Sequence, residues 1–395
     1  MTRAGATGVG VVGTGFAARA HLDALRRIPG VDVVAVAGSD PGRTGELAAL
    51  HGARAYCDTL ELLDDPAVQA VHTCTVNRLH AEVSLAALER GKHVLSEKPL
   101  AIDGGETARL AAAAERAAEQ GIVSGVCFNY RYYPLVAQIR EMLASGAYGA
   151  PHFVHGHYLQ DWLLLQSDWN WRLQESENGA SRAVADIGSH WSDLVQHVTG
   201  DRIVAVFADL GRLYSTRLRP DGDRATFAAA GGEGGDWVDV DGEDFGSVLV
   251  RFASGSRGSF TVSQTSAGRE NSLRFQIDAA HAAFSWDQEH ADRAWVGRRS
   301  EPNLELVRDP ATMLPGAARL SHLPAGHGEG WNDALCNLVA DFYAAVAGRR
   351  AGRAVETDVA TFRDGHARVQ LVEAVVRSHR EQRWTEVQAH REVPA

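Results

Sequence analysis

The chain has 395 residues, of which 45% are hydrophobic and 23% are charged, a balance typical of a globular protein long enough for two domains. The formal net charge is −11 and no long basic run occurs, which argues against nucleic acid and anionic membranes as main partners, because both bind clustered Lys and Arg. The four cysteines form no CxxC pair, Met1–Gly8 lacks the apolar core of a signal peptide, and no apolar run could span a bilayer, so we expect a cytoplasmic protein without a disulfide framework.

The first third of the chain alternates short apolar runs with helical patterns. Strands are predicted at Gly8–Val12, Val31–Ala37, Ala70–Thr75, His93–Ser96 and Ile122–Phe128, and helices at Phe16–Ile28, Pro41–His51, His80–Arg90 and Glu106–Gln120. Continuous apolar strands that alternate with helices are typical of a parallel sheet covered on both faces. Residues 1–128 are therefore predicted to form an α/β domain with a doubly wound parallel sheet.

After about residue 128 the strands become longer and alternate apolar with polar residues. They are predicted at His152–Gln160, Arg202–Leu210, Ser247–Phe252, Gly258–Thr265 and Ser272–Asp278, with a hairpin turn over residues 252–258. Residues 129–395 are therefore predicted to form an α+β domain with a large, mostly antiparallel sheet. The Gly- and Asp-rich residues 211–245 are predicted to be a long loop or insertion, and the last dozen residues to be peripheral.

A glycine-rich turn, Gly13-Thr-Gly15-Phe-Ala-Ala18, follows the first predicted strand and opens the first helix. A turn of this kind uses glycine to bend tightly and to bring the backbone close to a pyrophosphate, and the start of the helix offers N–H groups to the phosphates. A glycine-rich turn without a ligand is the alternative. The placement after a strand favours a Rossmann site for a dinucleotide, NAD(P).

The second strand ends near Ala37, where NAD-binding proteins usually carry an acidic residue for the ribose hydroxyls. Here Gly38 and Ser39 occupy that position, and Asp40 and Arg43 follow. Without a carboxylate at the strand end, a 2′-phosphate is not repelled, and Ser39 with Arg43 would bind it. The sequence therefore favours NADP over NAD.

Two further motifs carry charged side chains. Ser96-Glu97-Lys98-Pro99 follows a strand at the carboxyl edge of the predicted sheet, where open α/β sheets bind ligands. Asp186-Ile-Gly-Ser-His190 leads into a helix that ends at Gly200. If that helix starts by Asp186, the spacing puts Asp186 and His190 on one face, whereas a start at Ser189 leaves the pairing open.

With these motifs, the chain resembles the Gfo/Idh/MocA family of oxidoreductases over nearly its whole length, including Asn129–Pro134 and Asn170–Arg172. The resemblance implies that Lys98, Asp186 and His190 form the catalytic triad and that Pro99 follows a cis peptide bond. It also implies that one face of the second domain's sheet packs against another subunit, so we expect a homodimer or homotetramer. Val76 departs from the family's usual proline, which concerns the shape of that loop and not the chemistry.

The chemistry of alcohol oxidation needs these residue types. A histidine that titrates near neutrality suits the removal of the hydroxyl proton, with a carboxylate to orient it, and a lysine ammonium stabilises charge on the oxygen. His190 is accordingly predicted to be the acid/base, Asp186 its partner and Lys98 the polarising group. The alternatives are a surface lysine, a helix-capping Asp186 and a solvent-facing His190.

Asn77, His80, His327 and the clusters Asn129–Pro134 and Trp169–Arg172 rest on weaker signals. The alternative is a plain helix-start residue for His80 and interdomain packing for the two clusters. The residues predicted to bind the cofactor are Gly13, Thr14, Gly15, Phe16, Ala17, Ser39, Arg43, Thr75, Asn77, His80, Glu97, Lys98, Trp171 and Arg172. The residues predicted to bind the substrate are Lys98, Tyr130, Arg131, Asp186, His190 and His327. No metal site is predicted, because the histidines at 152, 155 and 157 do not share one face of their strand.

The predicted activity is hydride transfer between NAD(P) and a ring carbinol or ketone of a sugar, cyclitol or glycoside. Two alternatives stay open. One is a glycosidase that oxidises its substrate transiently with tightly bound NAD, and the other is a nonenzymatic cofactor-binding regulator. Neither nucleic acid nor a membrane is expected as a partner.

Overall fold

A computed structural model describes residues 5–221 and 234–388 of the chain. These residues form two compact units. The first unit takes the residues up to Asn129 together with Leu335–His366, and the second takes Tyr130–Ala334 together with the residues from Ala367 onward. The boundary after Asn129 lies next to the one expected from sequence, but Leu335–His366 return to the first unit.

The first unit is built on a six-stranded parallel sheet. Its strands are β1 (Thr7–Val12), β2 (Val31–Ala37), β3 (Arg54–Tyr56), β4 (Ala70–Thr73), β5 (His93–Ser96) and β6 (Ser124–Val126). Their order across the sheet is β3-β2-β1-β4-β5-β6. The order reverses next to β1, so the carboxyl ends of β1 and β4 flank the point where doubly wound sheets bind ligands. The predicted α/β fold is confirmed.

Five helices connect these strands. They are α1 (Phe16–Arg26), α2 (Pro41–Leu50), α3 (Thr59–Asp64), α4 (His80–Glu89) and α5 (Gly104–Glu119). The core between sheet and helices is formed by aliphatic residues, among them Val12, Val71, Ala87, Val94 and Leu110. Such continuous apolar strands are what a sheet buried on both faces requires.

The second unit contains a nine-stranded sheet. Its strands are β7 (Pro151–Leu159), β8 (Ile203–Gly211), β11 (Phe245–Phe252), β12 (Arg257–Ser263), β13 (Ser272–Ala279), β14 (Ala283–Asp287), β15 (Arg293–Gly297), β16 (Leu304–Val307) and β17 (Thr385–Glu386), while β9 (Thr216–Arg219) and β10 (Asp236–Asp239) form a separate pair. The order is β16-β15-β14-β13-β7-β12-β11-β8-β17, and β7 with β12 is its parallel pair in a sheet whose other described pairs are antiparallel. The predicted mostly antiparallel sheet is confirmed, as is the hairpin between β11 and β12.

Helices complete the second unit and extend the first. They are α6 (Pro134–Ala144), α7 (Glu175–Asn178), α8 (Ser189–Thr199), α9 (Pro315–Ala318), α10 (Trp331–Arg350) and α11 (Phe362–Glu381). Trp191 of α8 stacks on Phe260 of the sheet, with ring centroids 4.6 Å apart, and its indole N–H donates to the Arg274 carbonyl. A Cβ at Gly156 would lie 2.0 Å from that carbonyl oxygen, so glycine in β7 permits this close packing.

Two sequence expectations for the second domain need correction. Residues 211–245 are not one long loop, because β9 and β10 pair within that segment; its residues 222–233 lie outside the described chain. The end of the chain is not wholly peripheral either, since β17 pairs with β8 at the sheet edge. Over the two described ranges, none of the helices combines the length and apolarity needed to cross a bilayer.

Candidate active site

The glycine-rich turn lies between β1 and α1, at the point where the strand order reverses. Gly13 has φ +125°, its N–H donates to the Ala37 carbonyl, and a Cβ added to it would lie 2.3 Å from the Cys74 carbonyl oxygen. Only glycine tolerates this conformation and this contact. These two contacts hold the turn against β2 and the end of β4.

The next glycine has open space around it. Gly15 is the N-cap residue of α1 without a capping side chain, and a Cβ there would meet no heavy atom within 4 Å. Thr14 and Ala17 are half-buried on either side, and Phe16 is exposed. A bare helix start with room above it fits the pyrophosphate of a dinucleotide.

At the end of β2 the polar side chains interact with one another. Asp40 caps α2 by accepting the Arg43 N–H at 2.8 Å, and this hydrogen bond lowers the pKa of the Asp40 carboxyl. The Arg43 guanidinium lies 3.4 Å from the same carboxylate, and Ser39 is exposed. The Asp40 carboxylate therefore serves as the N-cap of α2.

The loop after β4 is held by His80. Its ring is buried, with Nδ1 2.7 Å from the Pro99 carbonyl and Nε2 3.1 Å from the Thr75 carbonyl. Burial lowers the pKa of His80, although its contacts with the two carbonyls act to raise it. Asn77 is also buried, at the start of a 3₁₀ turn. These contacts hold His80 at the start of α4, and its predicted contact with the cofactor stays a prediction.

Glu97 and Lys98 follow β5 directly. The Glu97 carboxylate turns inward, with Oε1 3.1 Å from His21 Nε2 while Oε2 accepts the Lys98 main-chain N–H at 3.1 Å. Burial acts to raise the pKa of Glu97, but the hydrogen bond and charge of His21 outweigh it and hold that pKa at about 2. The Lys98 side chain is half-buried and the Lys98–Pro99 bond is cis, as the resemblance implied.

In the second unit, Asp186 and His190 lie in one helical stretch. Val184–Gly188 forms a π-helical turn that continues into α8, so helical backbone begins before Asp186. Both side chains are 8% exposed. Asp186 is therefore not the helix cap, and His190 does not face solvent. The predicted stop of α8 at Gly200, with φ +69°, is confirmed.

The Asp186 carboxylate has a hydrogen-bond donor on one side and a guanidinium on the other. Oδ2 accepts Nε2 of Gln264 at 2.9 Å, and Oδ1 lies 3.3 Å from Nε of Arg172. The Gln264 amide is itself oriented, because its oxygen accepts from Arg182 at 2.7 Å. Arg182 and Arg217, both nearly inaccessible to solvent, form ion pairs with Asp244. A carboxylate surrounded by such donors is stabilised in its charged form.

Aromatic rings surround His190. The edge of its ring meets Tyr130, with centroids 4.9 Å apart, and Tyr158 lies at 6.2 Å. The two tyrosine hydroxyls are 2.7 Å apart, and both contact Asn271. Burial raises the pKa of Tyr130 to about 12, so this hydroxyl stays protonated.

The remaining predicted residues differ in their surroundings. Arg131 is buried and makes a bidentate ion pair with Asp193, at 2.7 and 2.6 Å, and its contact with a substrate stays a prediction. Arg172 lies 4.4 Å above the Trp171 ring, and His327 is exposed. Sequence reasoning missed Gln264 and His21, although His21 gave a signal as a polar residue on the apolar face of α1.

Comparisons with known proteins cover almost the whole chain. The profile of the oxidoreductase family with an NAD-binding Rossmann fold matches residues 7–124, and that of the GFO/IDH/MocA C-terminal domain matches residues 136–285. Levoglucosan dehydrogenase of Pseudarthrobacter phenanthrenivorans is 32% identical, over 96% of this chain and 97% of its own. A levoglucosan dehydrogenase structure in complex with NADH and L-sorbose has a TM-score of 0.85 at 29% identity, covering 97% of this chain and 99% of that one. An inositol dehydrogenase homologue complexed with NAD+, from Azotobacter vinelandii, has a TM-score of 0.84 at 25% identity, covering 98% of each chain.

Proposed function

The chain belongs to the Gfo/Idh/MocA family of oxidoreductases, with relatives that are sugar and cyclitol dehydrogenases, and we propose that it oxidises a ring carbinol of a sugar. The observation that carries the proposal is the near full-length similarity to levoglucosan dehydrogenase, in a chain that retains Lys98, Asp186 and His190. Levoglucosan, an anhydropyranose, is therefore the first substrate to test.

The residues of the triad divide the work of oxidation. The Lys98 ammonium holds the substrate oxygen and stabilises the negative charge that develops on it. His190 removes the hydroxyl proton, and Asp186 favours the protonated imidazole that results. The hydrogen bond from Gln264 and the nearby charge of Arg172 favour the ionised Asp186 that this role needs. The nicotinamide ring, when bound, accepts the hydride.

The cofactor loop supports the same proposal. The open Gly15 and the uncapped start of α1 would hold the pyrophosphate, and Thr75 and Asn77 follow the neighbouring strand end. We further propose a preference for NADP, because Gly38 and exposed Ser39 follow β2 where an acidic residue would bind the ribose, and Asp40 caps α2 and pairs with Arg43 instead. Tighter binding of NAD than of NADP in a titration would refute this preference.

The test of activity is a panel of substrates with each cofactor. Levoglucosan, monosaccharides, inositols and glycosides are supplied with NAD and NADP, and nicotinamide reduction is followed by absorbance. We expect reduction with at least one sugar, and a fall of about 100-fold or more in kcat for Lys98→Ala and for His190→Ala. Near wild-type turnover in either variant removes that residue from the mechanism, and sugar release from glycosides without net reduction favours the glycosidase instead.

The outer face of the nine-stranded sheet supports a homodimer or homotetramer. The burial of β11 alternates strictly, and Phe245 and Leu249 are exposed on its outward side, as is Trp295 on β15. Exposed apolar side chains on one sheet face are typical of a subunit interface. A monomer mass by light scattering at micromolar concentration would contradict the assembly.

A further inference from the structure

Four polar side chains form a continuous hydrogen-bonded row inside the first unit. The Tyr343 hydroxyl lies 2.9 Å from His72 Nε2, His72 Nδ1 lies 2.8 Å from His21 Nδ1, and His21 Nε2 lies 3.1 Å from Glu97. The second oxygen of Glu97 accepts the main-chain N–H of Lys98. Both histidine rings are fully inaccessible to solvent. The row therefore connects a helix in the interior to the lysine proposed above as catalytic.

The four residues come from four elements of this unit. His21 lies on the apolar face of α1, beside Ala18, Leu22 and Leu25, while His72 lies on β4, Glu97 follows β5 and Tyr343 lies on α10. Burying two histidines and a carboxylate costs free energy unless every polar atom is paired. Since nothing in the proposed hydride transfer uses His21 or His72, their burial requires a separate explanation.

With the Glu97 carboxylate ionised, the contacts permit two arrangements of protons. If His21 is an imidazolium, both its nitrogens donate, so His72 accepts at Nδ1 and carries its own proton on Nε2, from which it donates to Tyr343. If His21 is neutral, with its proton on the nitrogen that faces Glu97, then His72 must donate from Nδ1. The two arrangements differ in the charge of His21 and in the tautomer of His72.

Electrostatics selects the first arrangement. A buried carboxylate needs a positive partner, and the ring of His21 is in contact with the Glu97 carboxylate. Burial acts to lower the pKa of His21, yet that pKa lies well above its usual value, and the hydrogen bond and charge of His21 lower the pKa of Glu97. Burial, and then the charge of His21, hold the pKa of His72 well below its usual range, so His72 is neutral.

We propose that His21, as an imidazolium, is a positioning residue that fixes the Glu97 carboxylate and, through it, the main chain of Lys98. His72 and Tyr343 hold the His21 ring in place. Because His21 balances the charge of Glu97, the Lys98 ammonium is not required to do so and serves the substrate oxygen. The inference rests on the proposed role of Lys98.

The same neighbourhood has the composition of a metal site. Ligand atoms of His21, Glu97 and Cys127 lie within 4.8 Å of one another. The hydrogen bonds of the row already occupy both ring nitrogens of His21 and the Glu97 oxygen that faces it. The ion pair therefore accounts for the cluster without a metal. Stoichiometric zinc in the purified protein, measured by elemental analysis, would overturn the assignment.

The direct test is the protonation state of the two rings in the intact protein. Histidine labelled with nitrogen-15 is observed by NMR at about pH 8, well above the ordinary pKa of histidine, with assignments from His21→Gln and His72→Gln. We expect His21 as an imidazolium protected from exchange, His72 as the Nε2–H tautomer, and loss of the imidazolium in Glu97→Gln. A neutral His21, or the Nδ1–H tautomer of His72, would overturn the ion pair.

Kinetics then separate positioning from simple packing. His21→Gln keeps a donor toward Glu97 but carries no charge, so we expect kcat to fall about 10- to 100-fold while the KM for the cofactor stays within about threefold. His93→Asn is the matched control, because His93 is a buried histidine of the same unit that accepts the Val123 N–H, and it should keep wild-type kcat.

The possible failures are distinguishable. Unchanged kcat in His21→Gln, alongside an observed imidazolium, would overturn the positioning role but not the ion pair. Absence of sugar oxidation by the wild-type protein would overturn the proposed function, whereas the NMR measurement would still test the ion pair.

Discussion

Alanine should be harmful at both glycines of the cofactor turn, but for different reasons. Gly13→Ala should lower stability, whereas Gly15→Ala should lower cofactor affinity. At Gly13, a positive φ costs about 1–3 kcal/mol for a residue with a side chain, and the contact of 2.3 Å with the Cys74 carbonyl adds overpacking of about 1–3 kcal/mol. Gly13→Ala should therefore lower the free energy of unfolding by about 2–6 kcal/mol. Gly15 has φ −79° and open space, so Gly15→Ala should change stability by about 0.5 kcal/mol or less.

Gly15→Ala should bind the cofactor more weakly although its stability is nearly unchanged. The added methyl group takes the space where the pyrophosphate would approach the backbone, so we expect the Kd for the dinucleotide to rise tenfold or more, about 1.4 kcal/mol. Stability is measured by urea unfolding followed by circular dichroism. Tryptophan fluorescence would not report on the first unit, because all nine tryptophans lie between residues 162 and 384, in the second unit. Affinity is measured by calorimetric titration. Unchanged affinity in Gly15→Ala, or unchanged stability in Gly13→Ala, would refute the reasoning.

Three further predictions concern buried polar groups. Gln264→Leu removes a donor to a charged carboxylate, so kcat should fall about tenfold in the steady-state assay of the preferred substrate. Asp244→Ala leaves two buried arginines without their carboxylate and should cost about 3–5 kcal/mol of stability by urea unfolding with tryptophan fluorescence, whereas Asp241→Ala, at an exposed ion pair, should cost about 0.5 kcal/mol or less. Burial, and then the charge of Arg350, lower the pKa of His93 to about 4. The contribution of neutral His93 to the free energy of unfolding should therefore be complete above pH 6.5 and decline as the pH falls toward 4. The stability of His93→Asn should decline less over the same range.

Each of these predictions has an outcome that contradicts it. Wild-type kcat in Gln264→Leu would show that the amide does not support Asp186. Equal losses of stability in Asp244→Ala and Asp241→Ala would show that burial does not set the cost. For His93, the sign follows because the unfolded chain binds the proton first; identical pH dependence in wild type and His93→Asn would remove this residue as its source.

The sequence predicts the strands of the first unit well where apolar runs end at glycine or at a helix start. The bounds of Val31–Ala37 and His93–Ser96 agree with the structure residue for residue. It does not reveal β3 or α3, because three partly exposed residues, Arg54–Tyr56, and the six residues Thr59–Asp64 are too short to show a period. Short elements of this kind take their shape from the neighbours on which they pack.

Long-range pairing explains what the sequence misses in the second unit. The two-residue strand β17 forms only because β8 offers an edge, and Thr385–Glu386 has no pattern of its own. In the same way, Gln264 is 78 positions from Asp186, and no local signal connects them. The motif residues were predictable because each motif is a short run of neighbouring residues in the sequence, whereas the contacts that support them form only in the folded chain.

The return of Leu335–His366 to the first unit has a consequence for biosynthesis. The main chain of Ala360 pairs with Val126 at the open edge of β6, and Tyr343 supplies the last partner of His72. A nascent chain that has emerged only to Asn129 lacks both, so the nucleotide-binding unit cannot be complete until Leu335–His366 has also emerged. An amino-terminal fragment cut at that residue would expose a strand edge and a buried imidazole, and should be made as a fusion with the later segment if it is to be studied alone.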